Sequence, residues 1–166
     1  MSSGDFVITR TFNAPRALVW KAWTDREALL QWFGPKGMKM VRAELDFRVG
    51  GSFLYGLRQA DDDIMWGKWR FLEITPEEKL VLISCFSDEA GGVTRHPMAP
   101  TWPAETLSTT TFAEEAGRTT ITLRWSPHNA SAEEAALFAA SHASMNGGWG
   151  GTMEQLEDFL ALAQKH

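Results

Sequence analysis

The sequence predicts an α+β domain: a curved antiparallel sheet of about six to seven strands wrapped around a long C-terminal helix, with two short helices after the first strand. Three observations carry the prediction. Strand-like stretches follow one another from residue 41 to residue 126, most of them through short turns, and strands joined in this way run antiparallel. Arg42, Glu44 and Asp46 alternate with Val41, Ala43, Leu45 and Phe47, so one sheet face is wet and the other needs a cover. Apolar residues recur every three or four positions from Ala135 to Ala163, and only that segment is long enough to provide the cover.

Phe6–Phe12 places Phe6, Ile8 and Phe12 on alternate positions and reads as the first strand. Asn13-Ala14-Pro15 breaks it, and proline suits a first helical position because its missing N–H would be unpaired there anyway. Pro15, Leu18, Val19, Ala22 and Trp23 then share one helical face. Thr24 with Glu27 has capping-box spacing and opens a second short helix carrying Ala28, Leu29, Trp32 and Phe33, which Gly34-Pro35-Lys36-Gly37 ends.

The strands follow. Val41–Phe47 turns at Gly50-Gly51 into Phe53, Tyr55 and Leu57, and Asp61-Asp62-Asp63 reads as a solvated turn. Met65, Gly67, Trp69 and Phe71 face one way, with Glu73 on the same side. Leu80–Ser87 is apolar on both faces, so its register stays open. Residues 89–103, with three prolines, read as a long loop. Thr106–Glu114 and Arg118–Ser126 form a hairpin around Ala116-Gly117, with Ile121, Leu123 and Trp125 inward.

Ser131 with Glu134 is a second capping box and opens the terminal helix. Its stripe is Ala135, Phe138, His142, Met145, Trp149, Met153, Leu156, Leu160 and Ala163. Four glycines lie in it, at 147, 148, 150 and 151, and would cost roughly 4 kcal/mol relative to alanine. The stripe keeps its period through them, which predicts a continuous or kinked helix. Glycines kept at that cost predict that something comes close: a sheet, a partner or a ligand.

The chain of 166 residues fits one domain, 6–164, after a short tail at 1–5. A net charge of -5 argues against nucleic acid or an anionic membrane as partner. The single Cys85 excludes an internal disulfide and suits a reducing compartment; its strand-like surroundings predict a buried, inert thiol. No signal peptide and no membrane-length apolar run is evident, so a cytoplasmic location is expected. His96, His128, His142 and His166 lack ligand spacing, which predicts no metal site, and no motif implies a cofactor.

Several segments together resemble one family. Ala14-Pro15 with Val19-Trp20 and Ala22-Trp23-Thr24-Asp25 matches its opening helix, and Trp32-Phe33-Gly34-Pro35-Lys36-Gly37 its most recognisable segment. Asp46, Arg48, Gly50 and Gly51 give its D-x-R-x-G-G, Glu73-Ile74 with Pro76 and Leu80 its E-I-x-P, and Gly148-Trp149 with Leu156 and Leu160 its terminal helix. The chain resembles the family named after the activator of heat-shock protein 90 ATPase, within the START-like (SRPBCC, Bet v 1-like) helix-grip superfamily. The resemblance implies a helix-grip fold with a cavity between sheet and terminal helix that takes a small hydrophobic molecule. The family's eponym has a further N-terminal domain, for which a chain starting at its first strand leaves no room, so a chaperone partner is doubtful. Trp69 departs from the family's small residue and narrows the expected cavity, and the loop at 96–103 is expected to act as a lid.

The expected lining is Trp32, Phe53, Tyr55, Trp69, Phe71, Phe86, Trp102, His142, Met145, Trp149 and Met153. His142, Tyr55 and Glu73 are the weak catalytic candidates; none belongs to a convergent acid/base set. Asp46 and Arg48 are expected to brace the Gly50-Gly51 turn. Binding of a hydrophobic ligand is the first reading. The alternatives are a cyclase, aromatase or dehydratase using the same cavity, and a protein-interaction module. Pairing of open sheet edges into a homodimer is compatible with each.

Overall fold

In the computed structural model, which describes residues 5–34, 37–59, 62–94 and 101–164, strand β1 (Phe6–Phe12) leads into two short helices. Pro15 takes an extended conformation and caps α1 (Arg16–Thr24). The cap of α2 (Arg26–Trp32) is Asp25, not Thr24: its carboxylate accepts the Ala28 N–H at 3.1 Å, while the Thr24 hydroxyl donates back to Trp20 O.

Seven strands follow: β2 (Lys39–Leu45), β3 (Ser52–Arg58), β4 (Ile64–Thr75), β5 (Lys79–Ser87), β6 (Val93–Thr94), β7 (Glu105–Glu115) and β8 (Arg118–His128). All join one antiparallel sheet in the order β1-β8-β7-β5-β4-β3-β2, with the two-residue β6 on β5. The turn between β7 and β8 uses Ala116 and Gly117, both at positive φ, as a two-residue hairpin of right-handed twist requires. At the turn into β3, the Arg48 guanidinium pairs with the Asp46 carboxylate at 3.0 Å, and a Cβ on Gly51 would overlap the Asp46 carbonyl.

Two bulges overturn the simple alternation. The register of β2 on β3 shifts between Met40 and Arg42, so Met40 and Ala43 face inward and Val41 is exposed. The register of β4 on β5 shifts between Phe71 and Glu73. The extra residue turns Glu73 to the outer face, where it is exposed and pairs with Lys79 at 3.5 Å. In β5 the open register resolves: Leu80, Leu82, Ser84 and Phe86 share the inner face with their partners Phe71 and Gly67.

The C-terminal segment is two helices. α3 (Ala132–Ala140) starts at the Ser131–Glu134 capping box, both bonds of which form. Ser141 then leaves helical geometry at φ -104°, ψ 10°, and its hydroxyl donates to Leu137 O. α4 (His142–Ala163) runs unbroken through the glycines. The single helix expected from Ser131 is therefore interrupted, six residues before the glycines and not at them.

α4 turns Trp149, Thr152, Met153, Leu156 and Leu160 inward and packs on β1, α1 and α2. Its lower half completes a dense core with Phe12, Trp23, Phe53, Phe71, Ile121 and Leu123. The upper half stands off from β3, β4 and β5, and there the site lies. No helix among the described residues is long and apolar enough to cross a membrane.

Candidate functional site

A cavity of about 530 Å³ separates the inner face of the sheet from α3 and α4. Tyr55 and Leu57 on β3, Gly67 and Trp69 on β4, and Ser84 and Phe86 on β5 form its floor. Thr106 and Trp125 close it on β7 and β8, and Phe33 and Gly34 at the end of α2. Leu137, Ser141, Ser144, Met145, Gly148, Trp149 and Thr152 form the helical wall, at the spacing that one helical face presents. Trp102, Pro103 and Ala104 border it from the loop before β7. Residues 96–100 of the expected lid lie outside the described residues.

Of the expected lining, Tyr55, Trp69, Phe86, Trp102, Met145 and Trp149 stand on this cavity. Phe53, Phe71 and Met153 do not: they are 0–1% exposed and fill the core beneath it. Trp32 is also core; its Nε1–H donates to Ala22 O at 2.9 Å, and the residue borders a separate cleft of about 340 Å³. His142 begins α4 just past the break, and its ring packs 5.8 Å from those of both Phe6 and Phe138, away from the cavity. Glu73 is removed by its bulge. Of the three polar candidates, Tyr55 alone lines the cavity.

The seat of Tyr55 is specific. It pairs across the strands with Gly67, where any Cβ would overlap its Cζ and Oη. Its neighbour Trp66 lies over Gly56 on the opposite face in the same way, 2.8 Å from where a Cβ would stand. Burial pushes the Tyr55 phenol up, the Cys85 thiol adds to this, and the Trp69 indole N–H donated to it acts the other way. The hydroxyl stays protonated at physiological pH. The Cys85 side chain belongs to the outer face, with its Sγ toward Lys68 O at 3.7 Å. Burial, then Glu105, pushes the thiol up; Lys68 and Arg70 oppose this only in part. That is a poor setting for a nucleophile.

Rings meet edge to face around the space: Phe33 with Trp69 at 5.0 Å, and Trp125 with Trp149 at 5.5 Å. Trp23 stacks behind them on Trp149 at 6.1 Å and 17°.

Of the neighbours expected at the glycines, the sheet does not come close to Gly147, Gly148 or Gly150. A Cβ at Gly147, Gly148 or Gly150 would meet nothing within 4 Å outside its own helix backbone. These glycines leave volume free, and Gly148 borders the cavity directly. The signal missed in the sequence was the pair Ser144 and Gly148, each one residue before a stripe residue and so on the same wall. Trp125 carried a plainer one, as an inward residue of the last hairpin.

No group of three or more His, Cys, Asp or Glu gathers into a metal site among the described residues. The family model described as "Activator of Hsp90 ATPase homolog 1-like protein" matches residues 13–161. The chain is similar to the solved structure of an Arthrobacter aurescens protein at 26% identity and TM-score 0.80, over 99% of this chain and 91% of that one. A Staphylococcus epidermidis protein matches at 28% identity and TM-score 0.73, over 98% and 93%. The AHSA1 protein of Silicibacter pomeroyi, at 19% identity and TM-score 0.73 over 96% and 99%, shares the fold. No curated protein matches the sequence significantly. With a helix-grip architecture and a family match over most of its length, the chain belongs to the Activator of Hsp90 ATPase homolog 1-like family.

Proposed function

We propose that the protein binds a small hydrophobic molecule in the cavity between the sheet and α4. The observation that supports this is the cavity itself: about 530 Å³, walled by aromatic and aliphatic side chains with a few polar atoms. Both its size and its composition are those of small-molecule sites, roughly 300–1,000 Å³ and mostly apolar. An apolar guest gains about 25 cal/mol for each Å² it removes from water, and preformed ring walls lose little freedom on binding.

The test is native against denaturing mass spectrometry of protein purified from its own organism, with titration of the neutral apolar dye N-phenyl-1-naphthylamine. A mass excess lost on denaturation, or saturable dye binding weakened by Trp149→Ala in a folded variant, is the expected result. Neither a bound mass nor saturable dye binding would sink the proposal.

A further inference from the structure

The described residues around the cavity include no Lys, Arg, Asp, Glu or His. A charged guest would shed its water there and meet no counter-charge. Of the other wall hydroxyls, Thr106 donates to Ser84 O, Ser141 to Leu137 O and Thr152 to Gly148 O, while Ser84 and Ser144 are less buried than Tyr55. Tyr55 differs. It is only 9% exposed, its ring stands 6.2 Å from that of Trp69, and a phenol can donate as well as accept. The hydroxyl lies over Gly67, which lines the cavity opposite Phe86. Trp125, also on the wall, holds a buried indole N–H with no partner among the described residues. The walls themselves are ring faces and edges, which favour flat rings over flexible chains.

Resting on the binding proposal above, we infer that the cavity selects uncharged, ring-bearing molecules that carry a hydrogen-bond acceptor. The Tyr55 hydroxyl is the donor that orients them.

Four probes test this at pH 7 by calorimetry: 2-acetylnaphthalene, naphthalene, 2-naphthoate and dodecan-1-ol. The ketone binds more tightly than naphthalene by about fivefold, and 2-naphthoate binds more weakly than the ketone by about tenfold or more. Tyr55→Phe erases the ketone's margin over naphthalene. The carbonyl stretch of the bound ketone lies below its value in hexane, and a folded Tyr55→Phe returns it upward. An unshifted carbonyl in the wild type overturns the inference even where the variant does not fold. A margin that survives Tyr55→Phe, an unshifted carbonyl, or tighter binding of 2-naphthoate or dodecan-1-ol would overturn the inference while the binding proposal stands. Failure of all four to bind overturns the inference; the binding proposal falls only if no bound mass and no saturable dye binding are found either.

Discussion

Tyr55 and Gly67 face each other across β3 and β4, and the tyrosine ring occupies the space where any other residue at 67 would put its first side-chain carbon. The floor of the cavity therefore depends on a residue with no side chain. Gly67→Ala should cost about 1–3 kcal/mol, because the ring must leave its seat in a packed layer. Urea denaturation measures this; a change below about 0.5 kcal/mol would mean the ring moves away freely.

Tyr55 is the sole tyrosine of the chain, so its ionisation can be followed without assignment. Burial holds its folded pKa above the unfolded value of about 10. Below about pH 10 both states keep the proton and the stability is fully present; above it the unfolded state loses its proton first and stability falls as pH rises. The native protein should show no phenolate absorbance at about pH 10.5, where urea-unfolded protein shows it clearly. A native titration near 10 would place the hydroxyl in water.

Gly148 meets nothing within 4 Å beyond its own helix, so Gly148→Ala should stabilise α4 by about 0.4–1 kcal/mol. Gly148→Leu should fold as well but fill the cavity, and weaken N-phenyl-1-naphthylamine binding about tenfold or more. Equal dye affinity in the leucine variant would move the binding place away from the helical wall.

Gln155 joins α4 to the end of α2: its amide donates to Trp32 O at 3.0 Å and also to Gly34 O. Gln155→Glu keeps the shape but loses both donors, since a carboxylate only accepts. The loss should be about 1–3 kcal/mol in denaturation, with Gln155→Leu similar.

The sequence disclosed the element order because its signals are local and redundant: alternation in Phe53, Tyr55 and Leu57, the Ser131 box, and the period of the terminal stripe. It concealed the bulges. One extra residue at Leu72 leaves the pattern on each side intact while reversing Glu73, and the same holds near Val41. The break at Ser141 was hidden because Phe138, His142 and Met145 keep helical spacing across it. Within the site, large inward rings were legible as a class. Which of them border space and which fill the core was not: Phe53 and Tyr55 share a strand face, and only depth along the helix axis separates their roles.

The first strand has the eighth as its neighbour, with Phe6 beside Trp125 and Phe12 beside Thr119. During synthesis the ribosome therefore releases β1 long before anything exists for it to pair with. Such distant pairings slow folding, because a long loop must close before any contact rewards it. The β1-β8-β7 side of the sheet, which carries Trp125, is completed late, and the apolar side of β1 waits uncovered until then. An early truncation near residue 115 should be captured by chaperones and proteases, where one that only shortens α4 should fare better. The birth order of the strands makes the C-terminal third the arbiter of whether the chain survives to bind anything.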